Sequence, residues 1–166
     1  IPGDFSFGKV EKTGALDTEL LVDSCKKYIQ KRQLLRTERF DYTKLKLKED
    51  SVAYDGLEAK NIVFCEGFGV VNNPYFNYLP LRGNKGEYLV IRSEELQLKQ
   101  AVKSSVFILP LGNNLYKIGA TYNHQDKSQQ PTLEAKEKLQ RDLDKLITST
   151  YEIVDQVAGI RPATSD

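Results

Sequence analysis

The hydrophobic and polar positions of this chain change period along its length. From Asp17 to Gln33 the apolar residues Leu21, Cys25, Tyr28 and Ile29 fall at helical spacing, which predicts a helix with one buried stripe. Asp17 suits the N-cap, because its carboxylate can accept free backbone N–H groups and faces the positive end of the helix dipole. Lys26, Lys27, Lys31 and Arg32 sit towards the other end as a solvated face. Leu34 to Tyr42 reads as a strand. Lysine and leucine alternate from Lys44 to Lys48, a polar turn follows, and Val52 to Tyr54 returns, which predicts a half-exposed hairpin with its lysines outward. Ile62 to Cys65 is a continuous apolar run, the pattern of a strand buried on both faces as in a parallel sheet, and it ends at Gly67 and Gly69.

Downstream the period becomes that of a sheet. Gly86 to Arg92 reads as a strand entered through the glycine-rich Leu81 to Lys85. Val106 to Leu109 and Leu115 to Tyr122 flank Gly112-Asn113-Asn114, residues that tolerate positive φ, and together they predict a hairpin. In its second run Leu115, Lys117 and Gly119 share one face, and Tyr116, Ile118 and Ala120 the other. A second helix is predicted over Thr132–Thr148, with Ala135, Leu139, Leu143, Leu146 and Ile147 as its apolar stripe and Glu134/Lys138 and Glu137/Arg141 paired outside. Tyr151 to Pro162 reads as a last strand. At the start, Phe5 and Phe7 alternate around Ser6 as a short strand or tail. The elements amount to an α+β fold, a mixed, largely antiparallel sheet with two main helices, in a single domain.

Composition narrows the function. With 24 basic against 23 acidic residues and a net charge of +1, the chain has no electrostatic footprint for nucleic acid or an anionic membrane. No apolar run approaches the roughly 20 residues of a membrane span. Two cysteines, Cys25 and Cys65, make no disulfide framework, and both read as buried thiols of a reducing, cytoplasmic setting. One histidine and no cysteine cluster leave no metal site to expect. The chain has no methionine, not even an initiator, which suggests a processed chain, modified methionines or, the favoured reading, a fragment of a larger protein. No G-x-S-x-G or paired-carboxylate pattern supports a hydrolase. His124, alone in a polar loop, is a poor candidate for a catalytic base.

The order of five segments carries a resemblance. LDTELL opens a helix, LEAKNIVFCEGFG ends in glycines, LPLRGNKGEYLVI starts a sheet, LPLGNNLYKIGATYN is a hairpin, and VAGIRPATSD closes the chain. Together, over roughly Gly14 to Asp166, they resemble the middle and late portion of the D-amino-acid oxidase and glycine oxidase superfamily of FAD-dependent oxidoreductases. The sharpest piece is Gly159-Ile160-Arg161-Pro162 with Asp166. The resemblance implies a substrate-binding domain working beside an FAD-binding Rossmann-like domain, with residues 14–69 and 158–166 as candidates for pieces of the FAD-domain side. It implies oxidation of an amine or amino-acid C–N bond by hydride transfer to flavin, chemistry in which the protein supplies binding and orientation and no acid–base residue is required.

On the same footing, Arg161 matches the family arginine that often binds the substrate carboxylate, a role suited to a planar guanidinium fork. Tyr122 falls where the hairpin strand reaches the substrate cavity. Gly67 and Gly69 match glycines close to the cofactor, and Arg82 and Gly83 a segment passing near the flavin ring. One departure matters: the G-x-G-x-x-G dinucleotide fingerprint, between a first strand and a helix, is absent from this sequence. The chain is therefore expected to depend on the rest of its own FAD-binding domain, and neither to hold FAD tightly nor to turn over alone. The residues also admit a second reading, a non-catalytic α+β module binding a ligand or a protein.

Overall fold

The computed structural model describes residues 8–164; the Phe5–Phe7 segment and Asp166 lie outside the described residues. The described chain divides into two compact units, residues 8–62 and 63–164.

The first unit holds helix α1 (Thr18–Lys31) and a small antiparallel sheet, β1 (Leu45–Leu47), β2 (Val52–Tyr54) and β3 (Leu57–Ala59), in that order. Asp17 caps α1, its Oδ1 accepting from the Leu20 N–H at 2.9 Å. The stripe meant for a core is not one. Leu21 and Tyr28 are 46% and 58% exposed, Cys25 is exposed, and no residue of α1 is buried. Helical spacing aligns side chains on one face, but burial needs a surface to cover them, and none does so among the described residues.

The β1–β2 hairpin forms as its alternation predicts. The strand expected over Leu34 to Tyr42 does not. Asp41 instead accepts from the N–H and the hydroxyl of Thr43, opening a short 3-10 turn at Tyr42–Lys44. Such local side-chain bonds compete with strand pairing. Phe40 stacks on Tyr54 at 4.2 Å between ring centres, and Arg36 reaches Asp55 at 2.8 Å.

The second unit is built on a five-stranded sheet in the order β5-β6-β7-β4-β8, comprising β4 (Leu81–Arg92), β5 (Val102–Lys103), β6 (Phe107–Gly112), β7 (Leu115–Gly119) and β8 (Glu152–Thr164). Every pairing in both sheets is antiparallel. The α+β expectation holds, and its mixed sheet narrows to antiparallel sheets. The β6–β7 turn uses Gly112, Asn113 and Asn114 at φ 88°, 51° and 59°, the left-handed geometry that glycine and asparagine accept most easily.

Helix α2 (Leu133–Asp144) begins after its Thr132 N-cap. Leu139 and Leu143 of α2, with Leu146 and Ile147 after it, pack on Leu89, Ile91, Ile108, Tyr116 and Ile118 of the sheet. The predicted stripe is thus the core. Outside, Glu137 pairs with Arg141 as expected, whereas Lys138 turns to Asp142 at 2.6 Å.

The buried parallel strand expected at Ile62 to Cys65 is absent. Those residues belong to no strand, Val63 is 81% exposed, and the chain runs into a 3-10 turn at Gly67–Asn72. Among the described residues, 62–65 pair with neither β5 nor β8, the two edge strands of the five-stranded sheet. Phe64 packs instead against Tyr75 and Phe76. Cys65, like Cys25, is exposed, so neither thiol is the buried one expected. No helix among the described residues is long and apolar enough to cross a membrane.

Candidate functional site

Strand β4 separates two environments. Lys85, Glu87, Leu89 and Ile91 point to the side covered by α2, and Asn84, Gly86, Tyr88 and Val90 to the opposite face. Two charges in phase with the core demand partners, since unpaired buried ions are costly. Lys85, 1% exposed, donates to Asp126 at 2.6 Å, to Ser128 at 3.2 Å and to the Gln130 carbonyl, with Glu87 at 3.5 Å. Glu87 in turn accepts from the Thr132 N–H and hydroxyl and from the Gln156 amide, each at 2.8 Å.

The Asp126 carboxyl is pulled down to about 2, chiefly by the Lys85 hydrogen bond and then by the Ser128 N–H. For Lys85, burial works to lower the pKa, but the Asp126 hydrogen bond and the charges of Glu87 and Asp126 outweigh it and the net direction is up. This network ties the 121–132 segment to the sheet. Backbone bonds add to it, between Asn123 and Lys85 in both directions and from Thr121 N–H to the Glu87 carbonyl.

The tethered segment carries Tyr122. On the opposite face, Arg161 of β8 stands across from Asn84, and its guanidinium lies 5.3 Å from the Tyr122 ring centre. The guanidinium also lies over Gly86, where a Cβ would sit 2.8 Å from its Nη2; only a glycine leaves that space. Arg161 and Tyr122 are both exposed. The two residues singled out for substrate binding, 39 positions apart in sequence, therefore meet at one place. Beside them Lys117 sits over the Tyr88 ring at 4.0 Å, and the Phe107 ring covers Gly119. Asn84 Oδ1 is buried without a hydrogen-bond partner among the described residues.

Of the residues singled out for a cofactor, Arg82 is in phase with Asn84 on the same face of β4, while the glycines lie elsewhere. Gly67, at φ 55° with open space at its Cβ position, lines a cleft of about 640 Å³ together with Cys65, Val70, Leu81 and Pro162. Gly69 follows in the same 3-10 turn, and Arg82 is exposed on β4. Gly83 is packed: a Cβ there would come within 2.9 Å of both Phe68 and Ile160. Gly83→Ala is expected to cost about 1–3 kcal/mol by overpacking, read as a lower urea midpoint. An unchanged midpoint would mean that Phe68 moves aside freely. Open space at the Gly67 Cβ position leaves its backbone accessible from the cleft, whereas a complete dinucleotide cradle is not formed by the described residues. No group of three or more His, Cys, Asp or Glu side chains among them is placed to hold a metal. His124 is exposed, and its carbonyl accepts from Lys127.

Sequence reasoning missed Lys85, Glu87, Asp126, Gln156 and Lys117. The first two were within reach, since they continue the i, i+2 phase of Leu89 and Ile91. Their partners, 41 to 69 residues away, were not.

The sheet with its crossing helix and closing β8 strand is the fold of a part of the glycine oxidases. The glycine oxidase of Geobacillus kaustophilus superposes on 77% of this chain at a TM-score of 0.61 and 22% identity. That of Bacillus cereus superposes on 75% at 0.51 and 19%. The resemblance to the D-amino-acid oxidase and glycine oxidase superfamily thus holds at the level of fold. In sequence, the chain is 30% identical over 120 residues, 68% of its length, to the tRNA 5-methylaminomethyl-2-thiouridine biosynthesis bifunctional protein MnmC of Legionella pneumophila. No family model matches the chain. It spans 36% and 35% of the two glycine oxidase chains and 18% of the MnmC relative.

Proposed function

We propose that this chain is the substrate-binding part of an FAD-dependent oxidoreductase that oxidises the C–N bond of a small amine or amino acid by hydride transfer to flavin. The observation that carries the reading is Arg161, presented on the face of the sheet away from α2, over Gly86 and beside Tyr122. No carboxylate ion-pairs with it among the described residues. A guanidinium so placed offers a bidentate fork to a substrate carboxylate. The Tyr122 ring limits its swing, and the missing side chain at Gly86 gives it room. The Lys85 network holds the Tyr122 segment to the sheet and so fixes one wall. Gly67 and its cleft are the part of the chain that would meet FAD held by the remainder of the protein, with Arg82 and Gly83 assigned to the flavin side by the resemblance alone. When bound, the flavin supplies the hydride acceptor; this chain grips and orients the substrate.

The test is the visible spectrum of the full-length protein. A yellow protein that bleaches anaerobically on addition of an amino acid or amine is the expected result. A colourless protein that FAD cannot reconstitute would sink the proposal and leave a non-catalytic binding module.

A further inference from the structure

We propose that the same face takes a substrate with two anionic groups, Lys117 binding the second while Arg161 binds the first; this rests on the substrate-binding role of Arg161 proposed above. Lys117 stands opposite Val90 in the β4–β7 register, so it shares the face of Asn84, Gly86 and Tyr88. Its Nζ lies over the Tyr88 ring and the Arg161 guanidinium over Gly86. Gly86 and Tyr88 are two positions apart on one strand, about 7 Å between their Cα atoms, so the two cations stand over neighbouring positions of one face.

Both cations are held in place by aromatic rings, Lys117 by Tyr88 and Arg161 by Tyr122, and neither ion-pairs with a carboxylate among the described residues. The nearest acid in the same cross-strand row is Asp155, opposite Val90 on β8. It stands two strands, or about 9.6 Å, from Lys117, and its Oδ1 already accepts from the Gln156 N–H. Two neighbouring cations repel one another and raise the local positive potential, which a ligand with two negative groups neutralises. The strip beneath them, Gly86 and the Tyr88 ring, carries no charge and is flanked by the Phe107 ring over Gly119, a surface suited to the short methylene linker of a small diacid. The ligand class is therefore an amino acid or secondary amine carrying two carboxylates.

Iminodiacetate and its monoamide, N-(carbamoylmethyl)glycine, test this, because they match in shape and differ by one charge. Binding to the full-length, FAD-loaded protein would be measured by calorimetry, and turnover by oxygen uptake. The diacid is expected to bind roughly tenfold or more tightly than the monoamide, the scale of a charged hydrogen bond. Lys117→Met should remove that preference, weakening the diacid by roughly tenfold more than the monoamide. Lys117→Arg should keep the preference and shows that position 117 tolerates substitution. Equal binding of the two ligands, or a preference that survives Lys117→Met, overturns the proposal while leaving the Arg161 reading intact. Failure of both ligands to bind or react overturns the Arg161 reading, and this inference with it.

Discussion

Lys85→Met is expected to lower the stability of the sheet unit by about 3–5 kcal/mol, the cost of breaking a buried ion pair from one side. The loss would be read from urea unfolding of the full-length protein. Methionine fills the space of the lysine stem, so the effect isolates charge from volume. What remains is Glu87, 3% exposed, and Asp126 facing the vacated site, together with a Gln130 carbonyl stripped of its donor.

The pH dependence follows with a definite sign. Asp126 is held at about 2, below its ordinary 3.8, so its contribution is complete above pH 4 and is lost as pH falls towards 2. Lys85 is shifted upwards, so its contribution is complete below its ordinary 10.5 and is lost as pH rises beyond that. Wild-type protein should therefore be most stable between these limits, and Lys85→Met should flatten both flanks. A variant within 1 kcal/mol of wild type, with an unchanged acid limb, would mean that the network contributes little to stability. Because the Lys85 ammonium ties Asp126, Ser128 and Gln130 to β4, amide exchange over residues 126–130 should also rise in the variant.

Arg161→Ala should lower kcat/KM for a carboxylate-bearing substrate by about 10- to 150-fold, corresponding to about 1.5–3 kcal/mol for hydrogen bonds to a charged group. The change should appear in KM with kcat largely retained, because the carboxylate is held equally in ground and transition states. Arg161→Lys should recover only part of the loss, since an ammonium cannot form the planar two-point contact. A simple amine without a carboxylate should be indifferent to either substitution. An unchanged KM in Arg161→Ala would remove this residue from the site.

Much of the sheet unit was legible in the chain. The β6–β7 hairpin is written in Gly112-Asn113-Asn114 and the two runs around it, and the α2 stripe in the spacing of Ala135, Leu139 and Leu143. Both helix starts are written in their caps, Asp17 and Thr132. These signals act over a few residues: a turn needs its φ angles, a helix its end groups, and a strand its alternation. The site was legible only by family resemblance, which singled out Arg161 and Tyr122 without any local feature to join them.

Tertiary structure alone decided what each face meets. The same helical periodicity leaves α1 without a buried residue and places Leu139 and Leu143 at the centre of a core. The apolar run at Ile62 to Cys65 meets no strand to pair with among the described residues and forms none, whereas Gly86 to Arg92 lies between β7 and β8 as part of β4. Lys85 looks in sequence like any surface lysine and becomes the most enclosed charge in the sheet unit because β4 turns it towards Asp126. The chain by itself determined local conformation and the type of fold. Burial, ion pairing and the meeting of Arg161 with Tyr122 depend on surfaces brought together from 39 to 69 positions apart, and no local pattern encodes them.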